Sequence, residues 1–200
     1  MQNTTVQSVD LLVHPFYKLA KEAGFSALTQ KQRAFALFLQ GTWKKTIIDA
    51  KKRSNCLFVI VGYPLSNNGL ISAYKELCDF GKKQLGNRAR VCSFSLSQKM
   101  GPTGKIISVS LEGTPFRGVR FAKNNPIIIR PFGEDLGICP ITEALFLQRA
   151  LNNAGYKTKV VQIKGMSVKK MQSMKRNVDR MLKKPRTSRQ IRQRAQRRLR

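Results

Sequence analysis

Acid is what this 200-residue chain has least of: 10 Asp and Glu stand against 38 Lys and Arg, a formal charge of +28. A balance so one-sided points to anionic partners. No apolar run approaches the roughly 20 residues that span a bilayer, which excludes an integral helical membrane protein. Histidine occurs once, at His14. The four cysteines (Cys56, Cys78, Cys92, Cys139) include no Cys-x-x-Cys pair, so zinc and redox motifs are excluded. The thiols read as reduced side chains of a cytosolic protein. The opening residues MQNTTVQSVD lack the basic start and apolar stretch of a secretory signal, and a cytoplasmic protein is expected. A hydrophobic share of 42% is ordinary for a folded chain and excludes a wholly disordered basic one.

What is present alternates between strand-like and helix-like patterns. Val9-Asp10-Leu11-Leu12-Val13 is a short apolar run stopped by His14-Pro15. Thr29, with Gln32 three residues on, has capping-box spacing. Ala36, Leu39, Trp43, Ile47 and Ala50 follow at steps of three and four, which predicts a long helix facing a core. Residues 56–61 form a continuous apolar strand closed by Gly62-Tyr63-Pro64. Leu70, Tyr74, Leu77, Gly81 and Leu85 repeat the helical spacing up to Gly86-Asn87. Further strands are predicted at 90–96, 106–111, 126–130 and 159–163, with 118–121 as a hairpin partner for 106–111. Pro140 suits the first position of a helix whose inner face is Ala144, Leu147, Leu151 and Ala154, stopped by Gly155. Ser167 caps a last helix with a seam of Met171, Met174, Val178 and Met181.

Strand–helix units with nearly continuous apolar strands predict an α/β fold, a three-layer Rossmann-like domain with a largely parallel sheet. Glycines and prolines at 101, 102, 104, 113, 115 and 118 break this rhythm, and 97–126 reads as a β-hairpin excursion. The predicted organisation is an α/β domain over 1–166 and a C-terminal helix packed on it over 167–184. An Arg-rich tail over 185–200, beyond the break at Pro185, is expected to order only on binding.

Charge concentrates towards that end: residues 157–200 hold 17 Lys and Arg and one acid, Asp179. Lys183, Lys184, Arg186, Arg189, Arg192, Arg194, Arg197, Arg198 and Arg200 suit phosphate backbones, because guanidinium donates bidentate hydrogen bonds to phosphate oxygens. Their neutralisation of phosphates would release counterions and make binding salt-sensitive. RNA is favoured over DNA, since Arg-rich segments commonly fold on RNA. The bland alternative is a solvated charged end. Ile191, Ala195 and Leu199 make too thin an apolar stripe for a membrane-surface helix. Met100 to Lys105 superficially resembles a phosphate loop. Lys99 occupies the place of its first glycine, and Ile106 that of its magnesium-binding hydroxyl.

The loop from Arg130 to Pro140 is the candidate for chemistry, because ligands gather at the carboxyl ends of strands in open α/β sheets. Cys139 is placed as an N-cap, where the helix dipole favours a thiolate. Glu134 and Asp135 could supply a base, and His14 also ends a strand. Over these few residues the arrangement is similar to α/β cysteine hydrolases of the isochorismatase type, which place a nucleophilic cysteine at such a helix start. His14 stands where that family has an acid and no matching lysine can be placed, so the family is not assigned. The alternatives are a small buried residue at 139, a capping histidine, and acids facing Arg130 or a helix N-terminus. No metal or cofactor is expected. The sequence therefore predicts a nucleic-acid-binding protein, RNA being the preferred partner, within the ribosome or another ribonucleoprotein. An α/β enzyme with a strand-end pocket around Cys139, Glu134, Asp135 and His14, acting on an anionic substrate, is the alternative. Oligomeric state is left open.

Overall fold

A strand that is apolar on both faces must be covered on both, and this requirement sets the architecture. The computed structural model describes residues 5–63, 65–92, 98–100, 106–109, 111, 115–134, 139–161 and 166–181. In chain order these contain β1 (Ser8–Val13), α1 (Tyr17–Ala23), α2 (Gln30–Lys51), β2 (Cys56–Val61), α3 (Asn68–Leu85) and β3 (Ala89–Cys92). Then come β4 (Gln98–Met100), β5 (Ile106–Val109), β6 (Ile127–Phe132), α4 (Cys139–Asn153), β7 (Thr158–Val160) and α5 (Val168–Met181). Five strands form one sheet in the order β3-β2-β1-β6-β7, and every pairing in it is parallel. Among the described residues no helix is long and apolar enough to cross a membrane.

Every residue of β1 and β2 is buried. Because successive side chains point to opposite faces, Leu12, Phe58 and Ile60 meet α1, α2 and α3, joined by Ala36, Leu39, Trp43 and Ile47 from α2. Val9, Leu11, Val13, Leu57 and Val59 meet Ala144, Leu147 and Leu151 of α4 on the other face. Helix α4 is also buried on its far side, where Ile141, Leu145, Phe146 and Ala150 pack with Val178 of α5, and Met171 and Met174 lean on them. Two apolar faces on one helix require cover on both, and only the strip carrying Arg149, Asn152 and Asn153 is left exposed. Each fully buried Leu, Ile or Phe stabilises by about 1.5–3 kcal/mol, whereas a cap contributes about 1 kcal/mol; packing therefore fixes where the helices lie and capping trims their ends.

The caps are nevertheless present. Gln32 N–H donates to Thr29 Oγ1 at 3.2 Å and Thr29 N–H donates to Gln32 Oε1 at 3.0 Å, the reciprocal pair that the spacing implied. Asn67 Oδ1 accepts the N–H groups of Gly69 and Leu70 at the start of α3. Ser167 Oγ accepts from Lys170 N–H at 3.2 Å.

The structure departs from the sequence expectations in several places. Residues 118–121 do not pair with the strand at 106–109; β5 pairs antiparallel with β4 instead. Phe121 bridges Val6 in parallel, flanked by hydrogen bonds from Val6 N–H to Arg120 O and from Ala122 N–H to Val6 O. The reason is burial: Phe121 inserts beside Phe116 and Tyr156 and carries its segment to the amino end of β1. Helix α1 was not anticipated, being only seven residues long and too short to show a period. Ala154 lies past the end of α4 and is exposed, and Met181, at the last turn of α5, is exposed rather than part of the seam. The strand predicted at 159–163 ends at Val160, with Val161 already outside it; residues 93–96, 162, 163 and the whole of 182–200 lie outside the described residues.

Among the described residues one carboxylate is fully buried in the sheet. Asp10 on β1 is fully buried, and its carboxylate accepts hydrogen bonds from Arg53, after α2, and at 3.3 Å from Arg130 on the neighbouring β6. Arg88 in turn donates to Arg53 O at 2.6 Å, which steadies the loop carrying the first of these partners. A carboxylate is tolerated there because both oxygens are engaged by cations. Replacement Asp10→Ala should destabilise the fold by about 2–3 kcal/mol. That lies below the cost for a fully buried pair, because the two arginines reach solvent for about a third of their surface. Urea unfolding of the two proteins measures it, and an unchanged midpoint would refute this reading of Asp10.

Candidate functional site at the strand switch point

From β1 the chain winds outward through β2 to β3, and after the excursion it resumes at β6 on the other side of β1. The helices following β1 and β2 cover one face, and the helix following β6 covers the other. Between the carboxyl ends of β1 and β6 the connections therefore diverge, and this is where open α/β sheets form ligand crevices.

His14 stands immediately after β1, buried, with φ +50°. Its N–H donates to Val61 O at 2.8 Å and its carbonyl accepts Tyr17 N–H at 3.2 Å, so the backbone turns sharply between the end of β2 and the start of α1. Phe16, fully buried, has φ +69°. Two non-glycine residues in the left-handed region within three positions store strain that the surrounding packing must hold. The imidazole ring lies edge-on to Tyr63 at 5.5 Å between centroids, and Tyr63 meets Tyr17 edge-to-face at 4.8 Å. The Lys21 ammonium sits 5.4 Å from the Tyr17 ring centre.

Glu134 lies two residues past β6. Its Oε2 accepts the N–H of Lys18 in the first turn of α1 at 2.7 Å, and the buried Oε1 has no hydrogen-bond partner among the described residues. Burial raises its pKa above the ordinary carboxylate value; the Lys18 N–H and ammonium oppose the shift, and Glu22 adds slightly to it. Gly133 explains how Glu134 gets there. A Cβ at this position would stand 2.6 Å from Val13 O and 2.7 Å from Pro140 Cγ, so only glycine lets the β6 loop press against the end of β1 and the start of α4.

Cys139 is the first residue of α4, one position earlier than the sequence implied, half-buried and packed against the α4 side of the core. The sheet thus gathers His14 and Glu134 at one end, with Glu134 fastened to α1 four residues beyond His14, whereas Cys139 belongs to the packing of α4. Asp135 lies outside the described residues, as do Lys183, Lys184, Arg186, Arg189, Arg192, Arg194, Arg197, Arg198 and Arg200. Among the described residues no group of three or more His, Cys, Asp and Glu side chains is placed to hold a metal ion.

Neither a protein-family model, nor a curated protein, nor a solved structure matches the chain. Its site is therefore read from its own residues.

Three contributors escaped the sequence reading. Tyr17 and Tyr63 flank His14, and both sat in plain view beside its turn signals, at His14-Pro15-Phe16 and Gly62-Tyr63-Pro64. The third is Gly133, whose closeness to β1 no single sequence reports. A separate cleft of about 590 Å³ opens between the amino-terminal halves of α2 and α3, lined by Phe25, Leu28, Leu37, Asn67 and Ala73 among others. Phe25 is 90% exposed at its rim and Leu37 68%.

Two outcomes follow. Gly133→Ala should lose about 1–3 kcal/mol in denaturant unfolding, because a backbone carbonyl must move to admit the methyl group; a neutral result would dismiss the close approach. The pH dependence of Glu134 has a definite sign. A carboxyl whose folded pKa is raised holds its proton more tightly in the native state. Its contribution is fully present below the unfolded pKa and is lost as pH rises through the folded one. Glu134→Gln should therefore gain stability relative to the parent as pH rises above the ordinary glutamate pKa of about 4.3, and parallel stability–pH curves would contradict it.

Proposed function

We propose that this chain is an RNA-binding protein that grips phosphate backbones through α5 and the Arg-rich residues that follow it. One observation carries the reading: α5 is fastened to α4 by Val178, Met171 and Met174 and leaves Lys169, Lys170, Lys175, Arg176 and Arg180 exposed, with Asp179 as its only acid. The apolar seam holds the helix down and its cations are exposed, and nine further Lys and Arg follow in sequence between positions 183 and 200. Charges of one sign at this density repel one another, and a polyanion relieves the repulsion while releasing its own counterions. A structured RNA within a ribonucleoprotein supplies phosphates at the needed spacing, and the α/β body would orient the basic helix on it.

Labelled structured RNA, single-stranded RNA and duplex DNA, titrated across a salt series, test this. The full chain should prefer RNA, and a chain ending at Leu182 should lose affinity by more than tenfold near physiological salt. Its salt dependence should flatten by about 0.7–0.9 in log–log slope for each phosphate contact removed. Equal binding by both chains would reject the role given to residues 183–200, and no binding by the full chain would reject the RNA reading.

A second reading, an enzyme acting on an anionic substrate at the strand ends, is favoured by the strained His14–Phe16 turn lying at the switch point beside the buried Glu134 carboxyl. On that reading Cys139 is the nucleophile, with Glu134, Asp135 and His14 handling protons. Cys139→Ser and Glu134→Gln separate the two readings: RNA affinity stays unchanged in both variants if the chain is a binding protein, whereas turnover of a hydrolysable anionic ester falls if it is an enzyme.

A further inference from the structure

At the opposite end of the sheet, where the strands begin, a cleft of about 620 Å³ is lined by Gln7, Arg120, Lys123, Asn124, Asn125 and Tyr156. We propose that this cleft is a second RNA site, on the α/β body, which takes one or two nucleotides of a single-stranded segment. In it Arg120 and Lys123 hold phosphates and Tyr156 stacks a base. The inference rests on the RNA reading above and locates a contact which that reading leaves unassigned.

The walls of the cleft are built, not incidental. Phe121 is buried between Phe116 and Tyr156, its ring edge-on to Tyr156 at 5.6 Å. Backbone hydrogen bonds at 2.8 and 2.9 Å tie its neighbours Arg120 and Ala122 to Val6. An inward aromatic flanked by two anchored amides holds the segment in place, and Arg120 and Lys123 on either side of it are left exposed. Next to Tyr156, exposed Lys157 has its carbonyl committed to Ile127 N–H at the start of β6. Among the described residues no Asp or Glu lines the cleft.

The chemistry of these groups is that of a nucleotide. Arginine and lysine supply donors for phosphate oxygens. Asn124 and Asn125 each offer two donors and an acceptor, which is what a base edge requires. Tyr156, half-buried and locked against Phe121, presents a ring already immobilised, so little side-chain entropy is lost on stacking. An unstacked base is needed to meet it, which selects a loop or single strand over a duplex. The volume lies within the range of small-ligand sites, about 300–1,000 Å³.

The test uses the full chain and a fluorescein-labelled twelve-residue oligouridylate, with binding followed by anisotropy over a salt series. Arg120→Gln combined with Lys123→Gln should weaken binding at least several-fold and flatten the salt slope by about 1.4, two single-strand phosphates at about 0.7 each. Tyr156→Leu should weaken binding about five- to 150-fold with little change in slope, its folding being checked by thermal unfolding. If that variant melts early, the exposed Arg120 and Lys123 pair decides alone. Oligouridylate carrying 4-thiouridine should crosslink to the peptide containing Tyr156 or to residues 119–125. If the parent binds RNA while the double variant matches it in affinity and slope, or crosslinks fall only elsewhere, the cleft assignment is overturned and the RNA reading stands. Uridine monophosphate competing as well as the oligomer would also overturn it, marking a mononucleotide site. If the parent binds no RNA, the broader reading fails and takes the cleft with it.

Discussion

The burial of β1 and β2 on both faces is the constraint from which the remaining features descend. A strand of this kind cannot be left half-covered, so helices must lie on each side of the sheet, and α1 to α3 take one face while α4 takes the other. A chain that covers both faces of one parallel sheet has to reverse its winding somewhere, and here it does so between β1 and β6. The strained turn after β1 and the glycine-only approach of the β6 loop both stand at that reversal. The same two-sided demand repeats one layer out. Helix α4 is apolar on the face turned from the sheet as well, and it is α5 that covers it.

Charge in this protein is sorted by the cost of burying it. Among the described residues the interior of the sheet accepts one carboxylate, Asp10, and only with two arginines on it. With few acids available, most of the other cations among the described residues are exposed, where hydration offsets their mutual repulsion. That is why α5, held down by a narrow apolar seam, turns five uncovered cations outward, and why the cleft beside Phe121 has a cationic rim. The apolar cleft between α2 and α3 stands apart from this scheme, with Phe25 and Leu37 exposed at its edge.

Much of the architecture was legible because its signals are local. The Thr29–Gln32 box, the stripe Ala36, Leu39, Trp43, Ile47, Ala50 and the continuous run Cys56–Val61 each depend on residues a few positions apart, and each is realised. The candidate site was legible only in part. That His14 and Glu134 follow strands could be read directly, but which strands are neighbours could not, since periodicity carries no information about sheet order. Cys139 shows the limit in the other direction: its place at the head of α4 was foreseen almost to the residue, yet its packing against the core is decided by what surrounds α4. The segment 118–121 was misassigned for a similar reason. A strand-like stretch pairs with whichever edge lets its aromatic be buried, and Phe121 found Val6, 115 positions earlier, in preference to a neighbour in sequence.

The sequence by itself determined the α/β class, the largely parallel sheet, most helix boundaries and the excess of positive charge, because propensity, hydrophobic period and capping act over one or two turns of chain. Only the tertiary structure decided the order β3-β2-β1-β6-β7, the clasp of Glu134 on α1, the need for glycine at position 133, and the meeting of Arg120, Lys123 and Tyr156 in one cleft. These depend on contacts between residues far apart in the chain. They are selected by the simultaneous burial of several faces, and no local pattern encodes a burial that several elements must satisfy together.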